Sequence, residues 1–158
     1  MLKWCIIGCG DVVQRLVQDS LKIKNKSSVD CILTENIGSA KKFAKKYNIK
    51  KVLINSKKNV NMILNSEVNS IYIATPPDSH FYYIKIFSKK KINIVCEKPL
   101  IIKKSEFSKL KKLTNKYKFN LYTCFYRRYL ERFLYIKKIL TQKTLGKILY
   151  FDIKYFHN

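Results

Sequence analysis

Residues 5–13 read CIIGCGDVV: an apolar run, two glycines separated by one residue, then an acidic residue opening an amphipathic segment. Gly8 and Gly10 stand where a first strand must turn sharply into a helix. The first glycine permits the tight turn, and the second lets backbone approach a pyrophosphate. The N–H groups and partial positive charge of the helix N-terminus then face the phosphates. The pattern is G-x-G-x-x-V, with Val13 at the third position, which is normally small so that helix and strand pack closely. The same two glycines could serve a purely structural turn, so the reading depends on a βαβ context.

That context is present. Short apolar runs rich in β-branched residues recur at 4–8, 29–34, 51–54, 70–75, 92–96 and 120–125. Segments of helical length separate nearly all of them. Such alternation predicts an α/β fold, a Rossmann-type doubly wound parallel sheet. The segment 126–146 repeats the helical pattern and closes on Gly146. Residues 147–156 then alternate like a strand, the expected first strand of a truncated second α+β domain. The expected organisation is a dinucleotide-binding domain over 1–125 and a connecting helix plus that strand over 126–158.

Composition narrows the classes. Net charge is +23, which raises nucleic acid as a partner. The charge, however, sits on solvated helix faces. In 38–50, Ala40, Phe43, Ala44 and Tyr47 recur at helical spacing with Lys41, Lys42, Lys45 and Lys46 between them. In 105–119 the stripe is Phe107, Leu110, Leu113 and Tyr117. The basic residues are 29 Lys and 4 Arg, whereas sequence-reading proteins favour arginine. No specific nucleic-acid role is expected. No uncharged apolar run approaches the roughly 20 residues that cross a bilayer, and the N-terminus reads as a strand. The five cysteines are odd in number, scattered, and form no C-x-x-C pair. Free buried thiols in a reducing cytosol are therefore expected, with no metal site and a cytoplasmic location.

The second strand ends in CILTENIG, residues 31–38, about 20 residues after the glycine loop. Glu35 can accept hydrogen bonds from the adenosine ribose and repel a 2′-phosphate, and no arginine lies nearby to welcome one. It could equally stabilise the start of the helix over 38–47. The fourth and fifth runs end in IATPPDSH (73–80) and CEKPL (96–100), at the same carboxyl edge.

Taken in order, G-C-G-D-V, I-A-T-P-P-D-S-H, C-E-K-P-L and Y-R-R resemble the glucose–fructose oxidoreductase, inositol dehydrogenase and rhizopine-catabolism (Gfo/Idh/MocA) family, closest in look to members similar to dimeric dihydrodiol dehydrogenases. The resemblance covers essentially the whole chain. It implies a nicotinamide dinucleotide, NAD with NADP as the alternative, and a sugar- or polyol-like substrate. Carried onto this sequence, it implies cofactor contacts at Gly8, Gly10, Asp11, Val12, Glu35, Thr75, Pro76, Pro77, His80, Glu97, Lys98 and Arg127. Arg127 is paired with Tyr126, and Lys98 is the catalytic residue beside the nicotinamide. Many members carry Asn where this chain has Pro77. Read from the residues alone, His80 at a helix start is more ordinarily a satisfied structural histidine, and His157 is incidental.

Family members are roughly twice this length, and their second domain supplies a substrate surface, a histidine partner for the lysine and a route to homo-oligomers. The expectation is a cofactor-binding half that is inactive alone. The alternatives are a non-catalytic dinucleotide-binding module and a basic nucleic-acid-binding protein.

Overall fold

The computed structural model describes residues 1–17, 26–154 and 156. Six strands follow the apolar runs: β1 (Leu2–Ile7), β2 (Ser27–Thr34), β3 (Lys51–Ile54), β4 (Ser70–Ile73), β5 (Asn93–Cys96) and β6 (Asn120–Thr123). They form one sheet in the order β3-β2-β1-β4-β5-β6, every neighbouring pair parallel. The chain moves outward from β1 to β3, returns to the centre, and moves the other way from β4 to β6. The order reverses between β1 and β4, and right-handed crossovers place helices on both faces. This is the doubly wound Rossmann topology.

Strand alternation builds two cores. Cys5, Ile7, Leu33, Ile71, Ile73 and Ile94 point to one face, under α2 (Lys57–Leu64), α3 (Pro77–Phe87) and α4 (Lys104–Tyr117). Ile6, Ile32 and Tyr72 point to the other, against Val13 and the Ala40, Phe43 and Ala44 stripe of α1 (Ile37–Tyr47). All four residues of β4 are buried, which is why its sequence reads as a continuous apolar run. The lysines read as solvated in α1 are exposed.

Caps follow local chemistry. The Asn36 side chain accepts from Ser39 N–H (3.3 Å) at the start of α1, and Ser56 accepts from Asn59 N–H (3.2 Å) at the start of α2. Lys90 Nζ reaches back to the carbonyls of Ile63 (3.2 Å) and Ser66 (2.5 Å), serving the C-terminal end of α2. A polar row crosses the amino edge of the sheet. Asn120 donates to Asn93 Oδ1 (2.9 Å), Asn93 to Ser70 Oγ (3.4 Å), and Ser70 to Asn69 Oδ1 (3.1 Å). It fixes the register from which the carboxyl edge is built.

With four glycines in the chain, helix ends fall on other residues. Lys118 closes α4 in the left-handed region (φ 48°, ψ 44°), its N–H bonded to Thr114 O. A Cβ there is strained, so Lys118→Gly should raise the unfolding free energy by about 0.5–1 kcal/mol. A urea titration of the two proteins checks this.

The chain divides into two compact units, Met1–Cys124 and Phe125–Asn158. The second begins with a 3-10 turn at Tyr126–Tyr129, continues as α5 (Glu131–Thr141), and turns at Gly146 (φ 68°). The strand expected over 147–156 is not formed: 148–154 carry no regular structure, and 155 lies outside the described residues. Alternation supplies a face, but a strand also needs a backbone partner for its N–H and C=O groups. His157 likewise lies outside the described residues.

Candidate functional site

Sheet pairing extends one residue past the strands at their carboxyl edge. Gly8 N–H donates to Leu33 O (2.8 Å), Ala74 N–H to Ile7 O (2.8 Å) and Asn55 N–H to Thr34 O (2.9 Å). On the other side, Glu97 N–H donates to Ile73 O (2.9 Å) and Cys124 N–H to Cys96 O (2.9 Å). The first residues after five strands are thereby held in one row, and the loops that follow start from fixed points.

Gly8 is required by the fold itself. Its φ is +88°, and a Cβ there would lie 2.7 Å from Ala74 O and 2.9 Å from Ala74 C. The β1 and β4 loops can approach this closely only because residue 8 has no side chain. Gly10 is different, since a Cβ on it would meet no protein atom within 4 Å. Behind the loop, Val13 is fully buried, and the turn Val13–Val17 is π-helical rather than α-helical. The wider turn accompanies a bulky residue at the position that is normally small. Gln14 Nε2 ties the turn back to Cys9 O (3.2 Å).

A cleft of about 480 Å³ opens along this edge. Of the residues singled out from sequence, Gly8, Gly10, Asp11, Glu35, Thr75 and Pro76 line it together. Glu35 is exposed at one end and accepts from Asn55 Nδ2 (3.4 Å). Thr75 Oγ1 at the other end accepts from Ser79 Oγ (2.7 Å). Val12 is exposed and Pro77 begins α3, and neither lines the cleft. Sequence reading missed Asn55, Ser39, Ser79 and Tyr83, which also line it. Asn55 was within reach, being the first residue after a strand at the ligand edge.

His80, Glu97 and Lys98 surround the end of β5. His80 is 1% exposed, with Nδ1 2.9 Å from Pro99 O and Nε2 2.9 Å from Thr75 O. Its ring lies under the loops and outside the cleft lining. Glu97 is buried as well. Its Oε1 accepts from the Tyr72 hydroxyl (2.8 Å) and its Oε2 from Lys98 N–H (3.3 Å). Burial and the bond to Glu97 both push the Tyr72 phenol up, and burial with the nearby Glu97 charge pushes the Cys124 thiol up to about 12. The Lys98 side chain, between these anchored neighbours, is exposed. Arg127 and Tyr126 lie in the turn Tyr126–Tyr129 of the second unit. All five cysteines are free, and no cluster of three or more metal-ligating side chains occurs among the described residues. No described helix is long and apolar enough to cross a membrane.

The sequence profile of the Gfo/Idh/MocA oxidoreductase family, NAD-binding Rossmann fold, matches residues 2–124. The chain belongs to this family. Oxidoreductase P35 of Formosa agariphila is 26% identical over 153 residues, covering 97% of this chain and 47% of that protein. Scyllo-inositol dehydrogenase of Lactobacillus casei, solved with NAD(H) and scyllo-inositol bound, superposes with a TM-score of 0.82 at 14% identity, over 92% of this chain and 42% of that one. A variant of KijD10, a 3-ketoreductase of Actinomadura kijaniata solved with TDP-benzene and NADP, gives 0.78 at 19% identity, over 93% and 44%. The Gfo/Idh/MocA member described here thus spans less than half the length of these relatives.

Proposed function

We propose that this chain binds NAD(H) along the carboxyl edge of its sheet and is the cofactor-binding part of an oxidoreductase acting on a sugar- or polyol-like alcohol. The observation that carries the reading is the cleft, which has the glycine loop at its centre, an acidic residue at one end and the β4 loop at the other. The residues present fit the dinucleotide. Gly10 leaves space that no protein atom fills, backbone at Gly8–Asp11 borders that space, and Glu35 stands where ribose hydroxyls would donate. A bound nicotinamide would supply the hydride acceptor or donor. The role assigned to this chain's residues is to hold and to polarise. Thr75 and Pro76 border the path of the cofactor, and Lys98 at the end of β5 presents an ammonium that can polarise a carbonyl oxygen or exchange a proton with a hydroxyl. Titration of the purified chain with NADH, following nicotinamide fluorescence, tests the reading, and absence of saturable binding would overturn it.

The preference should be for NADH. A 2′-phosphate would come beside the Glu35 carboxylate, and no arginine lines the described cleft to compensate. Because both NAD(H) and NADP occur among the structural neighbours, the fold alone does not decide this. NADPH should bind about tenfold more weakly, the cost of roughly 1.4 kcal/mol of repulsion, and Glu35→Arg should narrow or reverse the ratio. Equal affinities for the two in the unaltered chain would count against the role given to Glu35.

A further inference from the structure

Lys98 is exposed, yet the residues on either side of it are anchored by buried polar side chains from opposite faces of the sheet. From one face, the Tyr72 hydroxyl donates to Glu97 Oε1 (2.8 Å), and the other oxygen of that carboxylate accepts the Lys98 N–H (3.3 Å). Tyr72 belongs to the core under α1. From the other face, the His80 ring on α3 spans Pro99 O and Thr75 O, each at 2.9 Å. An imidazolium donates to both carbonyls and a neutral ring to one. These contacts cross 25 and 19 residues of sequence, so nothing local explains them.

A buried carboxylate is costly unless bonded, and Glu97 would be a poor choice for mere strand termination. Its bonds instead connect β4 to the backbone of the lysine. We propose that Tyr72, acting through Glu97, and His80 are positioning residues for Lys98, the pair fixing where its ammonium stands relative to the nicotinamide end of the cleft. The assignment rests on the cofactor reading given above. The two residues hold different things. Tyr72 reaches only the lysine loop, whereas His80 ties that loop to Thr75, which lines the cleft.

The difference gives each a signature. NADH probes the whole cleft, and ADP-ribose probes it without the nicotinamide. Tyr72→Phe keeps the ring and removes the hydroxyl. It should weaken NADH about tenfold, the worth of a hydrogen bond to a charged group, and leave ADP-ribose within about twofold. Hydrogen exchange at the Lys98 amide, measured without ligand, should quicken. His80→Phe should weaken both ligands, and His80→Gln, which keeps a donor, should recover part of the loss. Should Tyr72→Phe yield too little folded protein, Tyr72→Phe with Glu97→Gln removes the carboxylate left unpaired and allows the same two affinities to be read. Equal weakening of NADH and ADP-ribose by Tyr72→Phe would overturn the proposal, since that is what general loosening does. Unchanged NADH affinity with unchanged Lys98 exchange would overturn it too. If the unaltered chain binds neither ligand, the cofactor reading falls and takes this assignment with it. If it binds both and only the variants fail to differ, the positioning role alone is lost.

Discussion

Gly10→Val should abolish dinucleotide binding in a protein that still folds, whereas Gly8→Ala should cost the fold before any ligand is added. The two glycines are one residue apart and serve different needs. A side chain at residue 10 meets no protein atom within 4 Å, and residue 10 lines the cleft, so the folded state tolerates the valine. Its stability should stay within about 0.5 kcal/mol, as for other open surface positions. A pyrophosphate drawn close to that backbone would collide with it, and binding should fall below detection. At residue 8 the methyl of alanine would lie 2.7 Å from Ala74 O, in a backbone that already holds φ at +88°. Neither partner can move cheaply, because Ala74 N–H is bonded to Ile7 O and Gly8 N–H to Leu33 O in the row that defines the edge. A loss of about 2–4 kcal/mol is expected from strain and displaced backbone together. Denaturant titrations and NADH titrations of the two variants check both halves. A folded Gly10→Val protein that keeps its NADH affinity would move the phosphates elsewhere.

The sheet was legible because parallel strands covered on both faces have little choice of residue. SIYI in β4 is buried at every position, and the runs around it differ from the observed strands only at their ends. The glycine loop and Glu35 were legible from spacing alone. Misreading began where pattern was taken without a partner. Residues 148–154 alternate as well as any strand does, yet carry no regular structure. The orientation of Glu97 was hidden for a related reason. A glutamate at a strand end looks solvated in sequence, and only a tyrosine 25 residues away, on the next strand, turns it inward. Tyr72 itself resembled any other core aromatic. His80 was read both ways, as a cofactor contact and as a satisfied structural residue. Both ring nitrogens face backbone carbonyls, which only the folded loops could bring to it.

Stability should fall steeply above pH 9, and the buried thiols should be the cause. Burial, reinforced by the Cys124 and Glu97 charges, pushes Cys96 up to about 12, and burial with Glu97 does the same to Cys124. Burial also raises Cys9, and Cys5 is held well above its usual value by its bond to Cys31 and by burial. An unfolded thiol ionises near 9, so between about 9 and 12 the unfolded chain has released protons that the folded chain retains. Stability therefore decreases with pH in that window, by up to about 1.4 kcal/mol per pH unit for each such thiol. Below pH 9 the thiols are neutral in both states and contribute nothing to the slope. By pH 10.5, Cys96 and the half-buried Cys124 together should cost about 3–4 kcal/mol, against a total of about 5–15 for an ordinary domain. The net charge of +23 works in the opposite direction, because discharging lysines relieves self-repulsion as pH rises. That repulsion acts between exposed groups and is screened by salt, whereas the thiols are not reached by it. In 0.5 M salt the thiol contribution should dominate, and the urea midpoint should drop between pH 8.5 and 10.5. In Cys96→Ala/Cys124→Ala the level at pH 8.5 will differ, but the drop should shrink by at least half. A midpoint that holds steady to pH 10.5, or a drop of the same size in the double variant, would show that the buried thiols do not set the alkaline limit of this fold.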